Sequence, residues 1–250
     1  MRLLPWDQLP EDMRVEEVRP YYESLAAKQG ALAAKRAFDV AGSLALIVLL
    51  SWLILGVAVA VKVDSPGPVF YRQVRVTQYG RKFRIFKFRS MVANADKIGA
   101  AVTTGGDPRI TRVGAVIRKY RLDEIGQLFN VLTGDMSFVG TRPEVPRYVE
   151  QYTPEMRATL LLPAGVTSLT SIMYKDEGRL LDAAEDPDRT YVEEVLPGKM
   201  RYNLQGLLDF SLLGDLKLML QTVAAVAGAS SKRKSNAEMQ VIADSPRESA

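Results

Sequence analysis

The sequence predicts an α/β domain that is mostly helical, lies on a membrane and carries a hydrophobic N-terminal helix. Three observations support this fold class. Residues 40–61 contain no charged side chain, two short alternating segments follow them, and amphipathic helical patterns fill most of the remaining chain. The 250 residues, 47% of them hydrophobic, suffice for one domain besides an anchor.

The uncharged run is long enough to enter a bilayer. As a helix its 22 residues would reach roughly 33 Å, close to the thickness of a hydrocarbon core. Basic residues flank both ends, so charge does not choose an orientation. A re-entrant hairpin and a true span therefore both stay open. We predict a bend at Ser51, because its hydroxyl can bond back to a backbone carbonyl.

A cleavable signal peptide is a poor alternative, since the preceding 39 residues contain seven acids. Beyond the run, a Pro- and Gly-rich turn at 64–68 ends the helix. Strands are predicted at 69–76 and 82–88, helices at 110–120 and 122–133, and helical patterns at 143–162 and 202–227. Gly134 is expected to end the 122–133 helix. The apolar side of 202–227 either packs in the core or lies on a bilayer surface.

Composition limits the available chemistry. The chain contains no Cys and no His, which excludes disulfides, thiolate nucleophiles, zinc sites with N or S ligands and Ser-His-Asp catalysis. Any reaction must use carboxylates, Lys, Arg, Tyr, Ser or a metal bound by oxygen atoms.

The net charge of +4 conceals a strong asymmetry. Residues 62–121 carry 14 basic and 3 acidic side chains, a local charge of +11. Such a segment indicates a polyanionic partner, namely lipid head groups, nucleotide phosphates or nucleic acid, unless it is simply a solvated basic face. Nucleic acid is disfavoured because no recognisable nucleic-acid module accompanies the charge and the anchor favours lipid.

Two adjacent carboxylates, Asp123 and Glu124, follow a cluster of basic residues. An aspartate can attack phosphorus, and a second carboxylate can hold Mg²⁺ against phosphate oxygens. Arg142, just after a glycine, is a candidate for bidentate phosphate contact. Ordinary capping of a helix start is the alternative interpretation of the Asp-Glu pair.

Several motifs follow one another in a fixed order: KRAFDV (35–40), DSPGPVFYRQ (64–73), FKFRSM (86–91), DPRITRVG (107–114), LDE (122–124), QLFNVLTGDMSFVG (127–140) and TRPE (141–144). In this order they resemble the bacterial sugar transferase family, the monotopic phosphoglycosyl transferases. The resemblance is dense over 35–145 and weaker to about residue 225, where DLKLMLQT (215–222) is similar to the family's closing helix.

The resemblance implies a ping-pong transfer of a sugar 1-phosphate from a UDP-sugar to undecaprenyl phosphate, the step that initiates exopolysaccharide or glycoconjugate synthesis. Asp123 would form a phospho-sugar intermediate with release of UMP, and Glu124 would bind Mg²⁺. The basic side chains expected around the phosphates are Lys87, Arg89, Arg118 and Arg142. The enzyme would act at the cytoplasmic face of the bacterial inner membrane, in contact with membrane lipid.

The expected division of the chain is an N-terminal extension (1–34), a membrane helix (35–62), a cytoplasmic catalytic domain (63–228) and a disordered tail (229–250). Two departures from the family pattern matter. Trp52 follows Ser51 where members commonly have Pro, and 163–179 differs from the usual PGITGWAQVNGR-like segment, so the sugar is left unnamed. A catalytically silent membrane scaffold for polysaccharide assembly is the alternative function, and homo-oligomerisation is left open.

Overall fold

The computed structural model describes residues 1–95, 107–174 and 186–226. This part of the chain is mostly helical with small two-stranded sheets, which confirms that aspect of the predicted fold class. The helices are α1 (Arg19–Ala26), α2 (Gln29–Leu49), α3 (Ser51–Asp64), α4 (Arg112–Lys119), α5 (Gln127–Thr133), α6 (Pro146–Val149), α7 (Leu169–Met173), α8 (Pro187–Thr190), α9 (Leu196–Leu208) and α10 (Leu212–Val226). A π-helical turn, Tyr191–Val195, joins α8 to α9.

The uncharged run forms two helices with a sharp bend between them. The axes of α2 and α3 meet at 64°, and the break lies at Leu50, immediately before the predicted Ser51. Within the described residues, neither helix is by itself long and apolar enough to cross a membrane, whereas the bent pair together has the necessary length and composition. Its outer side is apolar and exposed at Leu44, Val48, Leu49, Trp52, Leu55, Val59 and Val63.

Polar contacts pin α2 to the rest of the domain. Arg36 donates to the carbonyl oxygens of Val131 (2.6 Å) and Leu132 (2.9 Å) in the last turn of α5. The Val131 carbonyl also accepts from the capping Gly134 N at 3.2 Å, and the arginine adds a positive charge at this negative helix end. One turn later, Asp39 Oδ1 accepts hydrogen bonds from Ser137 Oγ and Phe138 N, each at 3.1 Å.

The strands predicted at 69–76 and 82–88 form one interrupted antiparallel ladder. Strand β1 (Phe70–Tyr71) pairs with β4 (Lys87–Phe88), and β2 (Val74–Val76) pairs with β3 (Lys82–Arg84). Ile85 N donates to Gln73 O (3.0 Å) between the two halves. A third sheet pairs β5 (Met136–Val139) with β6 (Ala164–Thr167) in parallel.

The segment predicted as an N-terminal extension contributes to the main hydrophobic core. Leu9, Met13 and Leu25 are buried in the same cluster as Leu161 and Met200. Residues 1–34 are therefore structurally continuous with the domain that follows. The predicted tail, 229–250, lies outside the described residues.

Several predicted helices are shorter than expected. The helix predicted at 122–133 is wrong at its start, because residues Leu122–Glu124 form a separate 3₁₀ turn before α5. The turn begins after Arg121, whose φ of 57° lies in the left-handed region and ends regular helix. The 143–162 pattern becomes α6 and a 3₁₀ segment at Glu155–Leu161, and 202–227 is divided between α9 and α10. Gly134 has a φ of 89° at the end of α5, which confirms the predicted cap.

Candidate active site

The two adjacent carboxylates lie in the 3₁₀ turn between α4 and α5. Gly126, two residues after Glu124, packs directly on the strand that carries Lys87. A Cβ atom at Gly126 would lie 3.0 Å from the carbonyl oxygen of Phe86, so a larger residue would require the two backbones to separate by a few tenths of an ångström. Asn130 on α5 holds the contact, because its side-chain oxygen accepts from Phe86 N at 2.8 Å. The local packing therefore brings Lys87 to the carboxylate pair.

Glu124 is the centre of a charged cluster. Its Oε1 accepts from Lys87 Nζ at 2.9 Å and from Arg142 Nη2 at 2.7 Å. Burial alone would raise the pKa of Glu124, but the neighbouring Arg142 and Lys87 outweigh it and hold that pKa well below its usual range. Glu124 is consequently a permanent anion near neutral pH.

Asp123 is shifted in the opposite direction. Burial and the adjacent Glu124 charge raise the pKa of Asp123, while Lys87 and Arg118 partly oppose the rise. Across the described residues, no ion pair occupies its carboxylate. Two neighbouring carboxylates with pKa values pushed apart are typical of sites where the two groups have different roles. Here Glu124 is the carboxylate held by two cations, and Asp123 has no ion pair among the described residues.

Burial also lowers the pKa of the lysine that contacts Glu124. The pKa of Lys87 is lowered by burial and by Arg142, and Glu124 and Asp123 act against that decrease. Arg118, in the last turn of α4, is the other cation whose charge acts on Asp123. The structure thus brings together five of the residues singled out from the sequence: Asp123, Glu124, Lys87, Arg118 and Arg142.

Arg89 is not part of this cluster. Its side chain is buried, and its guanidinium donates to the backbone oxygens of Val61 (3.2 Å), Ser65 (2.7 Å) and Pro66 (2.6 Å). These carbonyls lie at and just beyond the end of α3. Within this structure Arg89 therefore holds the end of the hydrophobic helix pair. Its two Nη groups donate to backbone carbonyls and not to the phosphate predicted as their partner.

Arg142 is held by a tightly packed crossing of two backbones. Gly140 N donates to Thr167 O (3.0 Å), and Gly165 N donates to Thr141 O (2.8 Å). A Cβ atom at Gly165 would lie 2.2 Å from Gly140 N, so a larger residue cannot be accommodated without displacement. Arg75 Nη1 donates to Pro143 O at 3.0 Å on the other side of Arg142. The segment 140–143 is thereby fixed from both ends.

A buried group of residues that the sequence interpretation missed lies next to Arg142. The Glu144 carboxylate is 8% exposed, accepts from the Tyr191 hydroxyl and lies 3.7 Å from Lys199 Nζ. Lys199 Nζ also donates to the Tyr191 hydroxyl at 3.1 Å. Glu144 could have been suspected from its place in the TRPE motif, but nothing in the sequence links it to Tyr191 or Lys199, which are 47 and 55 positions away. The two lie on the π-helical turn and α9.

The carboxylate pair fits Mg²⁺, although the described residues contain no group of three or more carboxylates that could enclose a metal. Mg²⁺ typically binds through one or two carboxylates and completes its coordination with substrate phosphates and water. Glu124, kept ionised by its cationic neighbours, has the charge state that a metal ligand requires.

Comparison with known proteins gives concordant matches. The sequence model of a family described as bacterial sugar transferase matches residues 30–229. A UDP-N-acetylgalactosamine-undecaprenyl-phosphate N-acetylgalactosaminephosphotransferase of Aeromonas hydrophila is 37% identical over 195 residues, which is 77% of this chain and 43% of the relative.

Two further relatives extend this result. A UDP-glucose:undecaprenyl-phosphate glucose-1-phosphate transferase of Caulobacter vibrioides is 34% identical, covering 77% of this chain and 69% of that protein. An exopolysaccharide production protein PSS of Rhizobium leguminosarum bv. phaseoli is 39% identical, covering 78% of this chain and 95% of its own length. The chain spans less than half of the Aeromonas relative and more than two thirds of the other two.

Proposed function

The chain belongs to the bacterial sugar transferase family, and from this premise we propose that it moves a sugar 1-phosphate from a UDP-sugar to undecaprenyl phosphate. The names of the Aeromonas and Caulobacter relatives describe transfers of this kind with different sugars, so we assign no sugar to this chain. The proposal rests on the placement of Asp123, which has no ion pair among the described residues, beside a glutamate held by lysine and arginine.

In the first step an Asp123 carboxylate oxygen attacks the β-phosphorus of the UDP-sugar. A bond forms between Asp123 and phosphorus, and the bond from that phosphorus to the bridging oxygen breaks. The electron pair leaves with the oxygen, which departs as part of UMP. The sugar phosphate is then carried on Asp123 as an acyl phosphate.

In the second step a phosphate oxygen of undecaprenyl phosphate attacks the same phosphorus. The bond between phosphorus and Asp123 breaks, the carboxylate is restored, and the product is a polyprenyl diphosphate sugar. Both steps shift negative charge onto phosphate oxygens. Lys87, Arg118 and Arg142 supply the positive charge that stabilises these oxygens.

Mg²⁺ is proposed as the cofactor, with Glu124 as its protein ligand. When bound, the metal supplies neutralisation of the donor's phosphate charge. The residues of the chain perform the remaining tasks. Glu124 orders Lys87 and Arg142 through its Oε1, and its charge raises the pKa of Asp123 and so makes that carboxylate a better nucleophile when ionised.

The exposed apolar side of α2 and α3 supports the further proposal that the protein sits in one leaflet at the cytoplasmic face of the inner membrane. With an axis change of 64°, both ends of the pair can lie on the same side of the bilayer. A substrate that is itself a membrane lipid would then reach the site without leaving the bilayer.

The deciding experiment is UMP release by the detergent-purified protein with Mg²⁺, undecaprenyl phosphate and a panel of UDP-sugars. We expect release with at least one donor and a decrease of roughly 10³-fold or more for Asp123→Asn. Asp209→Asn, at an exposed position on the end of α9, is the matched control and should retain full activity. A folded protein that releases no UMP from any donor would instead favour the silent scaffold.

A further inference from the structure

A cavity of about 200 Å³ lies between α2, β5 and α10. Its wall is largely apolar and includes Phe38, Phe138, Val139, Leu213, Leu216 and Met219. None of these residues takes part in the reaction proposed above. A concave apolar cavity of this kind is where a hydrophobic ligand gains most from leaving water.

Three charged residues line the cavity, and the one cation among them is paired with a carboxylate. Lys35 forms an ion pair with Asp215, which ties α2 to α10. Asp39 accepts from Ser137 Oγ and Phe138 N through its Oδ1, whereas its buried Oδ2 has no hydrogen-bond partner among the described residues. Because the lysine is paired with an aspartate, this end of the cavity does not offer a phosphate site. The cavity therefore suits an apolar chain and not a charged head group.

Two walls of the cavity are connected to the segment that carries Arg142. Val139 lines the cavity and is three residues before Arg142, so their Cα atoms are at most about 11 Å apart. On α10, Met219 lines the cavity, and one turn later Thr222 Oγ1 lies 2.7 Å from Thr167 Oγ1. Thr167 O accepts from Gly140 N, two residues before Arg142. A chain in the cavity thus has its end within reach of the arginine that faces Glu124.

The outer rim of the cavity is continuous with exposed apolar surface. Leu213 is 81% exposed and Leu216 45% on α10, and Phe38 is 48% exposed on α2. Leu44 and Val48 extend the same character along α2 toward the bend. Such contiguous exposed apolar surface marks a site of contact with lipid or protein. A ligand dissolved in the bilayer can enter the cavity sideways from this surface.

We propose that this cavity binds the first isoprene units of the polyprenyl phosphate acceptor, with the phosphate directed toward Arg142. The inference rests on the proposed function and adds the place where the acceptor's chain is held. An acyl chain of a membrane phospholipid is the competing occupant. The two occupants are distinguished by whether filling the cavity changes transfer to the acceptor alone or also UMP release from the donor.

The test uses Met219→Trp, which fills the cavity from α10, and Leu220→Trp as its matched control. Leu220 is the next residue on the same helix, is 64% exposed and does not line the cavity. Two activities are measured in detergent: single-turnover UMP release without acceptor, and transfer to undecaprenyl phosphate and to a two-isoprene prenyl phosphate.

For Met219→Trp we expect unchanged UMP release without acceptor and a KM for both acceptors raised about tenfold, equivalent to about 1.4 kcal/mol. The short acceptor should respond as strongly as the long one, because the proposal places the units next to the phosphate in the cavity. Leu220→Trp should match the wild type in all three measurements.

Three results would overturn the inference. One is an acceptor KM that is the same for the two tryptophan variants, and another is an effect limited to the long acceptor. The third is an equal loss of both half-reactions, which indicates a structural lipid or a packing role. If Met219→Trp does not fold, Ala34→Trp narrows the same cavity from an exposed position on α2 and is judged by the same criteria. Absence of UMP release from the wild type would refute the proposed function instead.

Discussion

Replacing Lys199 with methionine should destabilise the protein strongly, although Lys199 touches neither carboxylate of the reaction. The substitution leaves the buried Glu144 carboxylate without the ammonium that lies 3.7 Å from it. At an effective dielectric constant of 20, that separation corresponds to an attraction of about 4 kcal/mol. Breaking one side of a buried pair generally costs about 3–5 kcal/mol. The Tyr191 hydroxyl still donates to Glu144, so we expect about 3 kcal/mol.

An exposed ion pair provides the matched control. Arg189 and Glu193 are closer together, at 3.0 Å, yet their side chains are 71% and 58% exposed. Exposed pairs contribute about 0–1 kcal/mol because water screens them. Arg189→Met should therefore cost far less than Lys199→Met despite the shorter distance.

Thermal unfolding followed by intrinsic fluorescence can measure the difference. For a chain of this size about 3 kcal/mol corresponds to a decrease in Tm of about 6–12 °C, against at most about 4 °C for Arg189→Met. Adding Glu144→Gln to Lys199→Met should recover part of the loss, because the buried carboxylate, which then has Arg75 as its remaining cationic neighbour, is replaced by a neutral group. Equal Tm values for the two single variants, or no recovery in the double variant, would refute the electrostatic explanation.

Three further predictions concern the charged site. UMP release should decline with falling pH as Asp123 is protonated, and the decline should begin above the usual aspartate range because the pKa of Asp123 is raised. Lys87→Met should move this decline to higher pH in a pH–rate profile, because the lysine charge lowers that pKa. Arg89→Lys should lower the Tm by weakening the three carbonyl contacts while leaving the donor KM near the wild-type value, whereas Arg142→Lys should raise the donor KM; the reverse pattern would restore a phosphate role for Arg89. Gly126→Ala should reduce kcat roughly tenfold or more by pushing α5 away from Phe86, and unchanged kinetics would contradict the close-packing argument.

The sequence predicted which side chains come together better than it predicted how the fold holds them. Asp123, Glu124, Lys87 and Arg142 were identified from motif order, and the fold brings them to one place. Arg89 belongs to the same motif as Lys87, but its guanidinium bonds to backbone carbonyls at and beyond the end of α3, more than 20 positions earlier in the chain. The motif does not encode this long-range contact.

The remaining differences come from features that periodicity does not encode. The turn containing Asp123 depends on a left-handed φ at Arg121, a residue type with no preference for that region. Leu3, Leu9 and Met13 are buried although they lie in short 3₁₀ turns and irregular segments of an acid-rich stretch. Only helices and strands repeat their buried positions at a fixed interval, so this part of the core gives no periodic signal.

The contact between Arg36 and the end of α5 fixes the position of α5 relative to the hydrophobic helix α2. Arg36 lies four residues before the uncharged run begins, and α5 rises for seven residues, about 10 Å, between the turn holding Glu124 and the carbonyls that Arg36 caps. In a bilayer, the depth at which the bent pair settles would therefore set how far above the lipid phosphates the reacting phosphorus is carried. If the helix pair is the proposed anchor, the depth at which it lies would set the position of the carboxylates relative to the acceptor's head group, and a thinner or thicker leaflet would change that position without changing contacts inside the protein.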